Sequence, residues 1–219
     1  MRRVLLSVML LGTAAAAHSA AAQDSAAMAG LDRASAAQVA RIVDVTRSRG
    51  LPVDPILSKV RFALVVHAPA AKIVATAQAV AGRLETARTV VAPHAASSDI
   101  AAGEEALSFD VPKDVLRRVA LASQNRSVAV PIGVLTQLVV SGVPPTRAGD
   151  IVTELIKRGA TAAQLVALGN DVNADVQSGA RAVESADIRM RGLTPLLAPG
   201  AASQGTAATL QASDPRKKP

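Results

Sequence analysis

Residues 141–161, SGVPPTRAGDIVTELIKRGAT, contain one complete helix and the turns at both of its ends. Its apolar residues recur at the three- and four-residue spacing of a single helix face: Ile151, Val152, Leu155 and Ile156. Gly142 lies before this run and Gly159 follows it, and glycine is favoured just beyond a helix C terminus. The stretch therefore predicts an amphipathic helix from Thr146 to Arg158, with a tight turn at each end.

The two turns belong to a pattern that recurs along the chain. A helix ends in glycine or a polar residue, an apolar residue follows, and proline or threonine then opens the next helix. The instances are Gly50-Leu51-Pro52, His67-Ala68-Pro69, Asp110-Val111-Pro112, Gly142-Val143-Pro144 and Gly159-Ala160-Thr161. Connections this short favour antiparallel neighbouring helices.

A shift of 92 residues brings two of these stretches into register. The matched pairs are Gly50 with Gly142, Pro52 with Pro144, Val60 with Val152, Ala68 with Ala160, Val74 with Val166 and Val80 with Val172. Such self-similarity indicates a duplicated helical-hairpin unit. Chance matches are frequent in an alanine- and valine-rich chain, so the sequence alone leaves duplication open.

Helical spacing also covers most of the remaining chain, which predicts an all-α fold: a bundle or array of short antiparallel helical hairpins. The longest predicted helix opens at Pro69 with a narrow apolar seam of Ile73, Ala77, Val80, Leu84, Ala87 and Val91. Predicted N-caps are Asp54, Ser98 or Asp99, and Thr161, which forms a capping box with Gln164. Trp and Tyr are absent and Phe occurs only at 62 and 109, so the predicted core is Leu, Ile, Val and Ala.

The predicted domain organisation has five parts. Residues 1–22 form a signal peptide, residues 23–91 an N-terminal helical unit and residues 92–98 a linker. Residues 99–197 form a C-terminal helical unit, and residues 198–219, rich in Pro, Gly, Ser, Ala and Gln, a disordered tail.

The first 22 residues have the three parts of a secretory signal. Arg2 and Arg3 give the positive start, an apolar run from Val4 follows, and small residues precede a cleavage site after Ala22. The run is short for a bilayer span, which needs about 20 residues. We therefore expect a periplasmic or extracellular protein with no transmembrane anchor after cleavage.

Composition limits the chemistry that the chain can perform. It contains no cysteine, which excludes disulfides, thiolate metal sites, cysteine nucleophiles and a lipoprotein anchor. The absence of Trp and Tyr counts against sugar-binding and single-strand nucleic-acid platforms. The net charge of +7 is partly carried by the two ends of the chain, so it does not itself indicate an acidic partner.

No motif assigns a catalytic residue, a cofactor or a metal. A set of His94, Asp99, Glu104 and Glu105 could be drawn as a site, but solvated charges explain these residues equally well. Asp171 to Asp175 resembles the start of a calcium loop, yet Val176 and Ala182 stand where that loop needs Gly and Glu. The sequence leaves enzymatic activity undecided and favours a non-enzymatic role.

The stretch LIKRGATAAQLVAL, residues 155–168, could pass for a DNA-binding helix-turn-helix. Its second helix is poor in the side chains that read bases, and export also argues against DNA. We therefore expect no nucleic-acid partner.

Three segments resemble exported, alanine-rich helical proteins of GC-rich bacteria that have no assigned function. These are RGLPVDPILSK (49–59), SGVPP (141–145) and LIKRGAT (155–161). The resemblance spans most of the mature chain, and it implies a real helical domain but no catalytic residue.

The favoured hypothesis is an exported, non-enzymatic interaction protein of the cell envelope that binds an envelope protein or polymer in a groove between helices. The candidate contact charges are Arg117, Arg118, Lys157 and Arg158. Two alternatives stay open: an envelope hydrolase with dispersed catalytic residues such as His94 and Glu104 or Glu105, and a general periplasmic chaperone.

Overall fold

The computed structural model describes Asp24 and residues 27–91, 95–124 and 126–197. These residues form nine α-helices, one of which lies within 141–161, and a short 3₁₀-helix follows the last of them. This part of the chain contains no β-strand, and the all-α prediction is confirmed. The helices are α1 (Arg33–Ser48), α2 (Asp54–Val65), α3 (Ala70–Val91), α4 (Ser97–Ser108), α5 (Lys113–Ala122), α6 (Ala129–Val140), α7 (Pro145–Lys157), α8 (Ala162–Gln177), α9 (Ala182–Leu193) and the 3₁₀-helix Thr194–Leu197.

The predicted signal peptide at 1–22 and the predicted tail at 198–219 lie outside the described residues, as do positions 92–94 of the linker, which include His94. Residues 23, 25, 26 and 125 of the two predicted helical units also lie outside them. Within the described ranges, no helix is both long enough and apolar enough to cross a bilayer.

The chain divides into two compact units, the first ending at Arg88 and the second beginning at Thr89. The division falls inside α3, whose last residues, Val90 and Val91, belong to the apolar core of the second unit.

The core of the first unit is built from the inner faces of α1, α2 and α3. All six residues of the predicted α3 seam are buried, which confirms the spacing argument, and α3 is the longest helix described. The other buried apolar side chains of this unit are Ala27, Val39, Val43, Leu51, Ile56, Leu57, Val60, Ala63 and Val74. They are small and aliphatic, as the composition predicts.

Helix α6 lies at the centre of the second unit, where it packs against α4, α5, α7 and α8. Its buried residues are Pro131, Ile132, Val134, Leu135, Thr136 and Leu138. It begins at Ala129, two residues before Pro131. Helix α9 packs on α8 and α7 at the edge of the unit.

The recurring three-residue pattern is a Schellman motif joined to the cap of the next helix. After α7, the N–H of Gly159 donates to the carbonyl of Ile156 at 3.0 Å, and the N–H of Ala160 donates to the carbonyl of Leu155 at 2.9 Å. Gly159 has a φ of +84°, the left-handed conformation that ends the helix. Thr161 then caps α8, so four residues turn the chain from one helix into the next.

The same pair of hydrogen bonds closes five other helices. Their left-handed residues are Gly50, His67, Asp110, Gly142 and Gly179. The last of these, Gly179-Ala180-Arg181, is absent from the sequence-based set because arginine takes the position of proline or threonine. We call each of these six turns a joint.

The shift of 92 residues matches helix boundaries and turns of the two units as well as their amino-acid sequences. It carries the end of α1 at Ser48 onto the end of α6 at Val140, and the start of α3 at Ala70 onto the start of α8 at Ala162. It also carries the left-handed His67 onto Gly159. The pairing fails at Val74, which is buried, and Val166, which is 41% exposed.

Two predicted N-caps are wrong. The cap of α2 is Val53, and Asp54 is already helical, where its carboxylate lies in the positive first turn. The cap of α4 is Ala96, and Ser98 and Asp99 lie within the first turn. The Thr161–Gln164 capping box is confirmed: the Gln164 N–H donates to Thr161 Oγ1 at 3.3 Å, and the Thr161 N–H donates to Gln164 Oε1 at 2.8 Å.

Two glycines allow helices of the second unit to approach closely. A Cβ atom on Gly149 of α7 would lie 2.4 Å from Cγ1 of Val115 on α5. A Cβ on Gly169 of α8 would lie 2.4 Å from Oε1 of Gln137 on α6. Real Cβ atoms essentially never show such distances, so one group must shift if either glycine is replaced. The Gln137 side chain is flexible and can move, whereas the β-branched Val115 is stiff, so the crossing of α5 and α7 is the one that requires glycine.

Candidate functional site

The four candidate contact charges lie on α5 and at the C-terminal end of α7. Arg118 Nη1 binds Asp150 Oδ1 at 2.9 Å, which links α5 to α7. Arg158 Nε binds Glu154 Oε1 at 2.6 Å, one helical turn away. Arg117 and Lys157 are exposed and form no ion pair with the rest of the described chain. Two of the four charges are therefore engaged within the fold, and two face solvent.

Asp99 is a buried carboxylate that accepts hydrogen bonds at the start of two helices. Its Oδ2 accepts a hydrogen bond from the N–H of Ala96 at 3.1 Å, at the start of its own helix. Its Oδ1 accepts from the N–H groups of Val128 and Ala129, both at 2.9 Å, and from the Ser127 hydroxyl at 2.7 Å. A single side chain thus satisfies the N termini of both α4 and α6.

The other acids of the proposed His94 set point in different directions. Glu104 is buried, at 2% exposure, whereas its neighbour Glu105 is exposed. His94 itself is outside the described residues. Within the described ranges no three His, Cys, Asp or Glu side chains are grouped so that they could hold a metal ion.

The calcium-like stretch from Asp171 to Asp175 is helical, and its acids bind an arginine. Arg189 of α9 donates to both carboxylate oxygens of Asp175, at 2.7 and 2.9 Å, and reaches Asp171 at 3.3 Å. The Ser185 hydroxyl donates to Asp175 at 2.6 Å. The hydrogen bonds from Arg189 and Ser185 stabilise the ionised form and lower the pKa of Asp175 to about 2. These ion pairs and the Ser185 hydrogen bond link α9 to α8.

An open groove of about 410 Å³ lies between α1 and α3 in the first unit. Three of its lining side chains are apolar, those of Ile42, Val45 and Ala81, and Val45 is 48% exposed. The remaining lining side chains are polar or charged: Gln38, Arg41, Thr46, Arg49, Gln78 and Glu85.

Two contacts join the C-terminal end of α1 to α3 beside the groove. The Arg49 guanidinium forms an ion pair with Glu85, and Arg88 Nη1 donates to the Arg49 carbonyl at 2.9 Å. This groove was not predictable from the buried stripe of α1, because Val45 lies outside that stripe. An apolar residue on the otherwise polar side of that helix is the signal that marks it.

No protein-family model matches the chain, and neither does any curated protein or solved structure.

Proposed function

We propose that the chain is an exported, non-enzymatic helical interaction protein of the bacterial cell envelope, and that a helical or extended segment of an envelope protein docks between α1 and α3. The groove carries this proposal. Its lining includes aliphatic side chains that a partner would bury, beside Arg41 and the Arg49–Glu85 pair. Recognition of a helix in a groove uses apolar contacts of this kind.

The chemistry of the lining supports binding over turnover. Of the three ionisable lining groups, Arg49 and Glu85 are paired with each other, and the guanidinium of Arg41 stays protonated. Catalysis by acid and base needs a group free to accept or donate a proton beside the substrate. The aliphatic lining residues instead contribute affinity by leaving water.

Site-specific photocrosslinking in intact cells tests the proposal. A photoreactive residue in place of Val45 should give one discrete crosslinked species. The matched control replaces Val166 on α8, which is similarly exposed, at 41% against 48% for Val45, but does not line the groove. Equal patterns from both positions, or no discrete species from Val45, would overturn the docking site.

Export is tested separately by cell fractionation and mass spectrometry of the native N terminus. A chain that begins near Gln23 and is found outside the cytoplasm is the expected result. Retention of Met1 in a cytosolic protein would overturn the envelope assignment.

A further inference from the structure

Helix α2 is apolar on two faces, and only one of them meets the core. Ile56, Leu57 and Val60 are buried. On the other side, Phe62, Val65 and Val66 are 66%, 74% and 54% exposed. Because these three lie three and four residues apart, they form one surface at the C-terminal end of the helix. We call Phe62, Val65 and Val66 the outer face of α2.

Two cations border the outer face. Lys59 lies three residues before Phe62, and Arg61 lies four residues before Val65, so the two flank the apolar stripe on opposite sides. Both are exposed, and Arg61 donates to the Ser58 hydroxyl at 3.1 Å, on the same surface. The one acid of the helix, Asp54, lies at its N terminus, about 12 Å along the axis from Phe62.

The positive charge of the described chain is concentrated in the unit that carries this face. Residues 24–88 contain nine Lys and Arg against five Asp and Glu. Residues 89–197 contain ten against eleven. The first unit is therefore cationic and the second nearly neutral, a division that the overall charge conceals. An anionic partner suits the first unit.

We propose that the outer face of α2 rests on an anionic lipid surface, with Phe62, Val65 and Val66 entering the interface and Lys59 and Arg61 meeting the headgroups. Interfacial helices combine an aromatic or aliphatic stripe with Lys and Arg beside it. This contact is separate from the groove between α1 and α3, and it goes beyond the proposed function.

The size of the face favours a membrane over another protein. Its three partly exposed side chains cover only a fraction of the roughly 800 Å² that a stable protein interface buries on each partner. A lipid surface needs no complementary shape, and a few apolar side chains with adjacent cations give reversible binding to it.

Vesicle cosedimentation tests the inference. The protein, purified in the form that its cells contain, should bind vesicles of phosphatidylglycerol mixed with phosphatidylcholine and should sediment far less with phosphatidylcholine alone. Added salt should weaken the binding because it screens the headgroup charge. All variants share one N terminus, so a difference among them comes from the substitutions.

Matched variants locate the contact. Lys59→Gln with Arg61→Gln should lower the partition coefficient about 25-fold, from a contribution of about five-fold per cation. The charge-matched control, Arg117→Gln with Lys157→Gln, removes two exposed cations of the second unit and should change it less than two-fold, about the effect of weak long-range charge. Phe62→Ser should lower partition about ten-fold or more, whereas Leu121→Ser, at a residue 73% exposed on α5, should not.

Three results would overturn the inference. One is equal binding to anionic and neutral vesicles, and another is an equal loss of binding in the second-unit controls. The third is a dimer in sedimentation equilibrium that Phe62→Ser dissociates, without any vesicle binding by the parent protein. That outcome would assign the face to contact between copies of the chain. Circular dichroism of each variant confirms that it remains helical.

Discussion

Asp99 Oδ1 accepts a hydrogen bond of 2.9 Å from the backbone N–H of Val128, which is 29 residues further along the chain. Val128 is the N-cap of α6, and its own side chain cannot accept a hydrogen bond. The start of the central helix of the second unit is therefore capped by a carboxylate from α4.

Asp99→Ala should destabilise the protein by about 3 kcal/mol, because it leaves the starts of two helices without an acceptor in a buried setting. Urea unfolding followed by circular dichroism measures this loss. Asp99→Asn keeps one oxygen acceptor and should cost less. Equal stability of the Ala and Asn variants would show that the hydrogen bonds to α6 contribute little.

Gly149→Ala should destabilise the protein by about 1–2 kcal/mol, although alanine is the better helix former. The added Cβ would lie 2.4 Å from the buried and rotationally stiff Val115. Gly133→Ala is the control, because a Cβ at Gly133 meets nothing within 4 Å. That change should stabilise α6 by up to about 1 kcal/mol. Opposite shifts in the urea midpoint are expected, and shifts of the same sign would contradict the close-approach argument.

His67→Gly should stabilise the joint after α2 by about 1 kcal/mol, because His67 holds a φ of +54° that glycine adopts without strain. The position related to it by the 92-residue shift is Gly159, with a φ of +84°. Gly159→Ala should therefore lower stability by about 1 kcal/mol. Thermal unfolding of the two variants beside the parent protein tests the pair. A destabilised His67→Gly variant would show that the histidine makes a contact stronger than its backbone strain.

The ion cluster between α8 and α9 should make stability depend on pH in the acid range. The pKa of Asp175 is lowered in the folded protein from 3.8 to about 2 by hydrogen bonds from Arg189 and Ser185. A carboxyl whose pKa falls on folding stabilises the native state above its unfolded pKa and loses that effect as pH falls through the folded pKa. The difference in free energy of unfolding between the parent and Asp175→Asn should therefore be largest at neutral pH and should disappear as pH falls from about 4 to about 2.

Melting temperatures across that pH range measure the effect. In an Arg189→Gln background, Asp175→Asn should have less effect and a flatter pH profile, since the main cause of the low pKa is gone. An unchanged profile in that background would contradict the assignment of the shift to Arg189.

Much of the fold follows from local patterns in the sequence. The apolar seam of α3 and five of the six joints were predictable because both depend on residues within about one turn of each other. The Thr161–Gln164 capping box was predictable for the same reason. Asp54 and Asp99 misled the N-cap prediction because an acid in the first helical turn has the same favourable charge as one at the cap.

The features that involve distant residues were not predictable. Nothing near Asp99 in the sequence shows that its carboxylate caps α6, and nothing near Gly149 shows that Val115 will lie against it. The outer face of α2 was hidden for a different reason. Apolar residues occur all round that helix, and spacing alone does not say which side meets the core. The contact residues predicted from the sequence were therefore all charged, and the exposed apolar surfaces were not predicted.

The joints have a consequence for how the chain acquires its shape. In each of them, the hydrogen bonds join residues no more than five positions apart, as between Ala160 and Leu155. A joint can therefore form during synthesis as soon as its own residues have left the ribosome, before any later helix exists to pack against it. Early turns of this type shorten the search for native pairings, because each new helix starts beside the one that preceded it.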